Sequence, residues 1–347
     1  MVIVRPVRLE DLDGLTALAH QATHGLTSLP KDARILKKRI LESLFSFQKP
    51  VEEPGGELYV FVMEDRVGGR IIGTSCIAAK VGGFQPFYTY RIDVSIHESK
   101  TYGIRKEIPT LRLVTEHDGP SEIGGLLLSP EFRKHGNGRL LSLFRFLFMA
   151  EHPERFESVV IAEMRGVLDA DGNSAFWEAL GRHFFDMDYP SADFLSAMDK
   201  RFIADLMPTS PIYIPLLPEP AQQVIGRVHE QTRPALRLLQ DEGFKYMEVV
   251  DIFEAGPVMQ CRVDDIRVIR ESRKAVVAEV RLGPDEPRSH IVCTQQGQFR
   301  CFIGAVAGDE NAGARVRLRE DLGDVLRVGD TIRFAPLRSQ DQPSAES

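Results

Sequence analysis

Arg133-Lys134-His135-Gly136-Asn137-Gly138 is the segment whose residue types and spacing first suggest chemistry. It reads R-x-x-G-x-G and stands between a short apolar run, residues 123–128, and a long one, residues 136–150. Taken as strand, linker and helix, that order gathers free backbone N–H groups and the positive end of a helix at one spot, which suits a pyrophosphate. Gly136 and Gly138 would let phosphate oxygens approach the backbone closely and would permit positive φ. The bare pattern arises by chance in roughly one chain in ten at average glycine usage, and a surface turn capping a helix is the competing reading. A Rossmann fingerprint is excluded by the glycine pattern and by the lack of an acidic residue on a following parallel strand; a Walker A loop is excluded because no G-K-[ST] is present.

The elements that would position this loop follow from periodicity. Residues 2–7 are β-branched and extended, and residues 9–21 repeat apolar positions at helical spacing. GLTSLP (residues 25–30) breaks that helix, and Asp32 is the expected N-cap of a second one. Strands are expected at 58–64 and 71–80, a polar irregular stretch over 82–120 with one short strand near 110–114, and a buried strand at 158–162. Two segments echo each other: 173–181 runs into His183-Phe184-Phe185, and 234–243 runs into Phe244-Lys245-Tyr246. Each reads as a helix closed by glycine before an aromatic-led strand, leaving open either a duplicated module, with a second unit over about 200–255, or one module with a long insertion. From about Gly256 short strands alternate with Gly/Asp/Pro turns, as in a small β-barrel or sandwich over 256–338. Residues 339–347 form a polar tail. The expected fold is therefore α+β: residues 1–255 form a mixed β-sheet flanked by helices, followed by a small C-terminal β-barrel-like domain.

Composition narrows the function classes. The chain has 347 residues with 43 Lys+Arg against 50 Asp+Glu, a net charge of −7, and no basic run of the kind a nucleic-acid binder shows. Four cysteines at spacings without a zinc signature suggest neither a metal site nor a disulfide framework. No 18-residue apolar stretch and no leader pattern stand out, so a cytoplasmic protein without a membrane partner is expected.

With the loop and its flanking elements in place, the sequence resembles the acyl-CoA N-acyltransferase (GNAT) superfamily, whose members open strand–helix–helix–strand–strand and then carry [QR]-x-x-G-x-[GA] between a strand and a helix. A narrower resemblance spans nearly the whole chain. VRPV (4–7), GLTSLP (25–30), RKHGNG (133–138), AEMRGV (162–167), FWEALGRHFF (176–185), FIADLMP (202–208), VIGRVH (224–229) and DIFEAGP (251–257) are similar, in order, to segments of the arginine N-succinyltransferase family. The resemblance implies an acyltransferase that uses succinyl-CoA as co-substrate, without a permanently bound cofactor, and moves its acyl group to the α-amino group of L-arginine in arginine catabolism. It also implies that His229 is a proton donor and that Leu126 contacts succinyl-CoA. The pattern departs from the family at Gly124-Gly125, where members usually carry bulkier or polar residues, which puts the shape of the acyl pocket in question.

The chemistry sets further expectations. An α-amino group of pKa about 8 must lose a proton, and a CoA thiol of pKa near 8.5 leaves with modest help from an acid. A backbone N–H of the strand at Leu126 to Leu128 would meet the oxyanion, and Arg133 belongs with the phosphate loop. Glu163 and Arg165 could act as amine base and succinyl-carboxylate clamp, or pair with each other. Ser28, His24 and His135 lie in loops near the expected cleft. Two rivals remain: a related acyltransferase preferring ornithine, and a non-catalytic acyl-CoA-binding regulatory subunit. Homo- and hetero-oligomers are both compatible with the sequence.

Overall fold

The computed structural model describes residues 2–22, 29–83, 85–198, 201–283, 289–295, 299–308, 313–318 and 322–338. Ser28, His24 and the polar tail at 339–347 lie outside the described residues.

The chain opens β1 (Val2–Pro6), α1 (Leu12–Gln21), α2 (Ala33–Gln48), β2 (Leu58–Asp65) and β3 (Arg70–Ala78), the order the sequence predicts. Asp32 caps α2 as expected, its carboxylate accepting the N–H groups of Arg34 and Ile35. β4 (Phe87–Ser99) and β5 (Ile104–Glu116) follow. They form one long antiparallel hairpin where the sequence reading expects a largely irregular stretch; its polar residues sit on a ribbon solvated at its tip, so they carry no burial alternation. Next come β6 (Ser121–Leu128), α3 (Asn137–Glu151) and β7 (Val159–Glu163).

The following stretch is helical: α4 (Ala175–Ala179), α5 (Gly181–Phe185), α6 (Tyr189–Met198), α7 (Arg201–Leu206), then β8 (Ile212–Tyr213), α8 (Glu219–Val224), α9 (Arg233–Asp241) and β9 (Lys245–Asp251). The two echoing segments fold differently. Gly243 closes the second with φ 102°, and β9 follows after Phe244. Gly181 instead starts α5, because its bare Cα packs on the Trp177 ring; the left-handed cap falls to Asp186, with φ 50°.

β10 (Pro257–Arg262) and the short α10 (Arg267–Arg270) complete the main body. The expected boundary at 256 is therefore corrected: β10 pairs with β7 on one side and β9 on the other. A short strand between turns looks alike in a barrel and in a sheet, so the pattern alone could not assign it. The barrel comprises β11 (Arg273–Leu282), β12 (His290–Thr294), β13 (Cys301–Ala307), β14 (Ala314–Leu318) and β15 (Thr331–Pro336), closed by the β12–β13 pairing. β1 pairs with both β2 and β13, which makes barrel and mixed sheet one continuous hydrogen-bonded system.

α3 explains the arrangement. Residues 140–149 are all buried, because the helix lies between the mixed sheet and the barrel. Phe144 and Phe148 meet Phe61 edge to face, and Phe148 meets Phe299 the same way, in one core. α1 and α2 cover the opposite face of the sheet through Leu15, Leu18, Leu36 and Ile40.

Candidate active site

β6 is where the sheet is deliberately irregular. It runs antiparallel to β3, with Gly73 opposite Leu128, Thr74 opposite Leu127 and Cys76 opposite Gly124. One residue of β3, Ser75, thus faces two of β6, Gly125 and Leu126, which is a bulge, and Gly125 sits in it with φ 61°. The two glycines of the departing pair differ. A side chain at Gly124 would make ordinary contacts, the nearest being Cys76 Sγ at 3.8 Å, whereas any other residue at Gly125 would be strained.

On its other edge β6 pairs in parallel with β7 through Ser121–Val160 and Glu122–Ile161 alone. Beyond Glu122 the two strands separate, and β7 continues against β10. A slot opens whose near wall is the edge of β6 from 123 to 128. Ser129 N–H bonds to Ile72 O, so strand alternation turns the N–H and C=O of Leu128 away from β3 and toward this slot. Its carbonyl is taken by Arg133 Nε at 3.0 Å. The Leu128 side chain is buried in the core with α3, and Leu126 packs against the same cluster. What these residues offer a ligand is backbone.

The slot leads to the open end of α3. His135 and Gly136 are both left-handed, with φ 58° and 79°, and this pair turns the chain into the helix. The first intrahelical bond is Leu140 N–H to Gly136 O, which leaves the N–H groups of Gly138 and Arg139 without a helical acceptor. Gly138 has open space where a Cβ would stand. Gly136 does not: its missing Cβ would lie 3.2 Å from Ile303 and Leu337 of the barrel. The two glycines therefore differ in their surroundings, open space at Gly138 and a left-handed turn packed on the barrel at Gly136.

The far wall starts where β7 ends. Glu163 is exposed, opposite Val258 of β10. Arg165 is half-buried, and its carbonyl accepts the N–H of His229 at 2.9 Å. His229 caps a one-turn helix at Glu230–Thr232, its Nδ1 accepting Gln231 N–H at 3.2 Å. With Nδ1 accepting, the neutral ring carries its proton on Nε2. Burial lowers the His229 pKa, the Arg165 charge adds to the effect, and Glu230 opposes it.

Behind this wall lies a carboxylate cluster that the sequence reading did not single out. Glu254 accepts Gly166 N–H at 2.5 Å and the Tyr189 hydroxyl. Asp251 accepts the N–H groups of Phe253, Glu254 and Gly256 at 2.7, 2.9 and 2.6 Å. Burial, then Asp251, pushes Glu254 up to about 8. Asp193 on α6 is held at about 7, by burial first and then by Asp251, with Arg165 opposing. The signal was present in DIFEAGP (251–257), two carboxylates three residues apart beside glycine, but nothing in the spacing says that they are buried. Among the described residues no group of three or more His, Cys, Asp and Glu could hold a metal ion, and no helix is long and apolar enough to cross a membrane.

The structure thus brings Leu126, Leu128, Arg133, Gly136 and Gly138 to the near wall and its loop, and His229 with Arg165 to the far wall. The family described as "Arginine N-succinyltransferase beta subunit" matches residues 2–268. An arginine N-succinyltransferase of Enterobacter sp. (strain 638) is 44% identical over 343 residues, covering 97% of this chain and 98% of the relative. One of Escherichia coli (strain 55989 / EAEC) is 40% identical, covering 99% of each. The solved structure of the arginine/ornithine succinyltransferase subunit AI from Pseudomonas aeruginosa superposes with a TM-score of 0.87 at 34% identity, covering 98% of this chain and 99% of that one.

Proposed function

This chain belongs to the arginine N-succinyltransferase family, and from that premise we infer that it moves the succinyl group of succinyl-CoA to the α-amino group of L-arginine, forming N2-succinyl-L-arginine and CoA. The observation that carries the reading is the slot between β6 and β7, which runs to the open N-terminus of α3 and has His229 on its far wall. The pantetheine amides pair with the free edge of β6 as an added strand would. The pyrophosphate lies against the N–H groups of Gly138 and Arg139, with Arg133 beside it.

In the reaction the neutral amine attacks the thioester carbonyl, and the C–N bond forms as the carbonyl electrons move to oxygen. A backbone N–H at the bulge, from Leu126 to Leu128, holds that oxyanion. Collapse breaks the C–S bond and expels the CoA thiolate, which the Nε2–H of His229 meets. Two carboxylates are available for the amine proton: Glu163 at the rim, and Asp193, whose value near 7 suits a base at neutral pH. Arg165, whose charge acts on both Asp193 and His229, belongs to this amine side.

A thiol-release assay with the purified chain, crossing several acyl-CoAs with arginine, ornithine and lysine, tests the assignment. Arginine should exceed lysine in kcat/KM by roughly tenfold or more, since an ammonium cannot fill a bidentate guanidinium site. Equal rates contradict the assignment, and no turnover by the chain alone favours a non-catalytic acyl-CoA-binding subunit. A preference for ornithine is the second reading, favoured by the double substrate in the name of the Pseudomonas aeruginosa relative.

A further inference from the structure

On the face of β6 that α1 and α2 cover, a narrow cleft opens beside the Gly125 bulge. Its walls are apolar, with Leu15, Leu36, Ile40 and Val60 among them. One cation lines it: Arg39 of α2. Arg39 is half-buried, and among the described residues neither a hydrogen bond nor an ion pair holds its guanidinium. Two other shielded arginines contrast with it. Arg5 is clasped by Asp11 and Glu64, and Arg267 by Glu242 and Glu271. The Arg39 charge reaches the Cys76 thiol, which faces the same cleft across from Gly124.

A short apolar cleft with one unpaired guanidinium has a specific complement: an aliphatic chain of two or three carbons ending in a carboxylate. It is wrong for the cationic ends of the other substrate, because a guanidinium or ammonium brought there would meet a like charge in a medium of low dielectric. The position also fits, since the bulge that would hold the thioester oxygen forms part of the cleft wall. We propose that Arg39 is the specificity-determining residue for the acyl donor, its guanidinium taking the distal carboxylate of the succinyl group while the apolar walls receive the two methylenes. This rests on the reaction assigned above and moves the carboxylate clamp from Arg165 to Arg39. Acyl recognition then falls on the face of β6 that α1 and α2 cover.

The test compares succinyl-CoA with butyryl-CoA, of equal chain length but uncharged, in the wild type and in Arg39→Gln, Arg39→Met and Arg39→Lys, with arginine as acceptor. Losing a bidentate charge-assisted bond should lower the succinyl-to-butyryl ratio of kcat/KM by about 100-fold in Arg39→Gln and Arg39→Met. Arg39→Lys should recover part of it, while the Kd of free CoA stays within a few-fold in all three. A wild type without preference for succinyl-CoA overturns the reaction assignment itself. A wild type that prefers succinyl-CoA, with variants that keep its ratio, overturns the role of Arg39 alone. Melting temperatures guard against misfolding; should the neutral variants fail to fold, an unchanged ratio in Arg39→Lys also overturns it, because an ammonium cannot reproduce the fork.

Discussion

The slot and the barrel use the same material, short strands of alternating residues, to opposite ends. Around the barrel each strand finds neighbours on both edges, and β12 returns to β13 to close the ring. Its interior is apolar, with Val292, Phe302, Val316 and Ile332 buried together. Between β6 and β7 the pairing stops after two residue pairs, glycine holds a positive φ, and charges line the far wall. Interrupted pairing is what makes a site, because an unpaired strand edge offers N–H and C=O groups that a ligand can satisfy. The barrel then acts as a buttress. Its Ile303 and Leu337 back the loop at Gly136, while Arg333, Lys274 and Gln295 hold Glu151 at the other end of α3. On this view, changes at the slot should alter turnover or binding at constant stability, and changes at the buttress should do the reverse.

The largest expected effect is at His229. His229→Ala should lower kcat by roughly 10²–10⁴-fold, with KM for both substrates and the melting temperature little changed. The pH profile says which protonation state works. If the neutral ring acts through Nε2–H, kcat falls as pH drops through a value below the usual 6.5 of histidine, since burial and Arg165 depress it. If the imidazolium is the acid, kcat falls instead as pH rises through that same value. A stable, fully active alanine variant would place His229 among the structural residues.

The two glycines of the loop should separate next. A Cβ at Gly138 would meet no atom within 4 Å, so Gly138→Val should weaken acyl-CoA binding about tenfold or more while melting much as the wild type does. Gly136→Val must adopt a left-handed conformation and press on Ile303 and Leu337, which costs about 1–3 kcal/mol of stability as well. Calorimetric titration and thermal melts on both variants check the contrast, and equal melting losses would erase it.

The smallest effect belongs to the buttress. Glu151 accepts from Arg333 Nε and Lys274 Nζ, each at 2.9 Å, and from Gln295. Glu151→Gln should cost about 1–2 kcal/mol at neutral pH and leave the KM for succinyl-CoA within twofold. Burial raises the Glu151 pKa, but the bonds to Arg333 and Lys274 outweigh it and the net shift is downward. Its contribution is therefore present above the unfolded carboxylate value and is lost as pH falls through the depressed one. Denaturant titrations should show wild type and variant converging in acid, and a gap that persists there would contradict the ion-pair account.

Much of the architecture was legible because it depends on local order. The strand–helix–helix–strand–strand opening, the Asp32 cap, the loop before α3 and the five barrel strands each follow from a period, a cap or a turn within a few residues. The helix over residues 137–151 could be read from the apolar run itself, though not the burial of Ser142 and Arg145 within it. The hairpin of β4 and β5 was less legible, because its polar tip lacks the alternation that burial writes into a strand. Membership of β10 in the main sheet was not legible at all, since pairing partners far apart in the chain leave no local mark.

The site divides along the same line. Residue order alone carried the R-x-x-G-x-G pattern and the likeness of whole segments to a family, and only that likeness pointed to His229. It could not distinguish Gly136 from Gly138, nor single out Arg39 among the five basic residues of 31–39. Those distinctions arise from what surrounds each residue: Ile303 and Leu337 behind one glycine and open space at the other, and a mainly apolar cleft whose lining includes Arg39 and no carboxylate. The same holds for the carboxylates at 193, 251 and 254, whose basicity burial and mutual repulsion set. Chemical type is a local property of the chain, whereas dielectric, crowding and charge partners come from residues that only folding brings near.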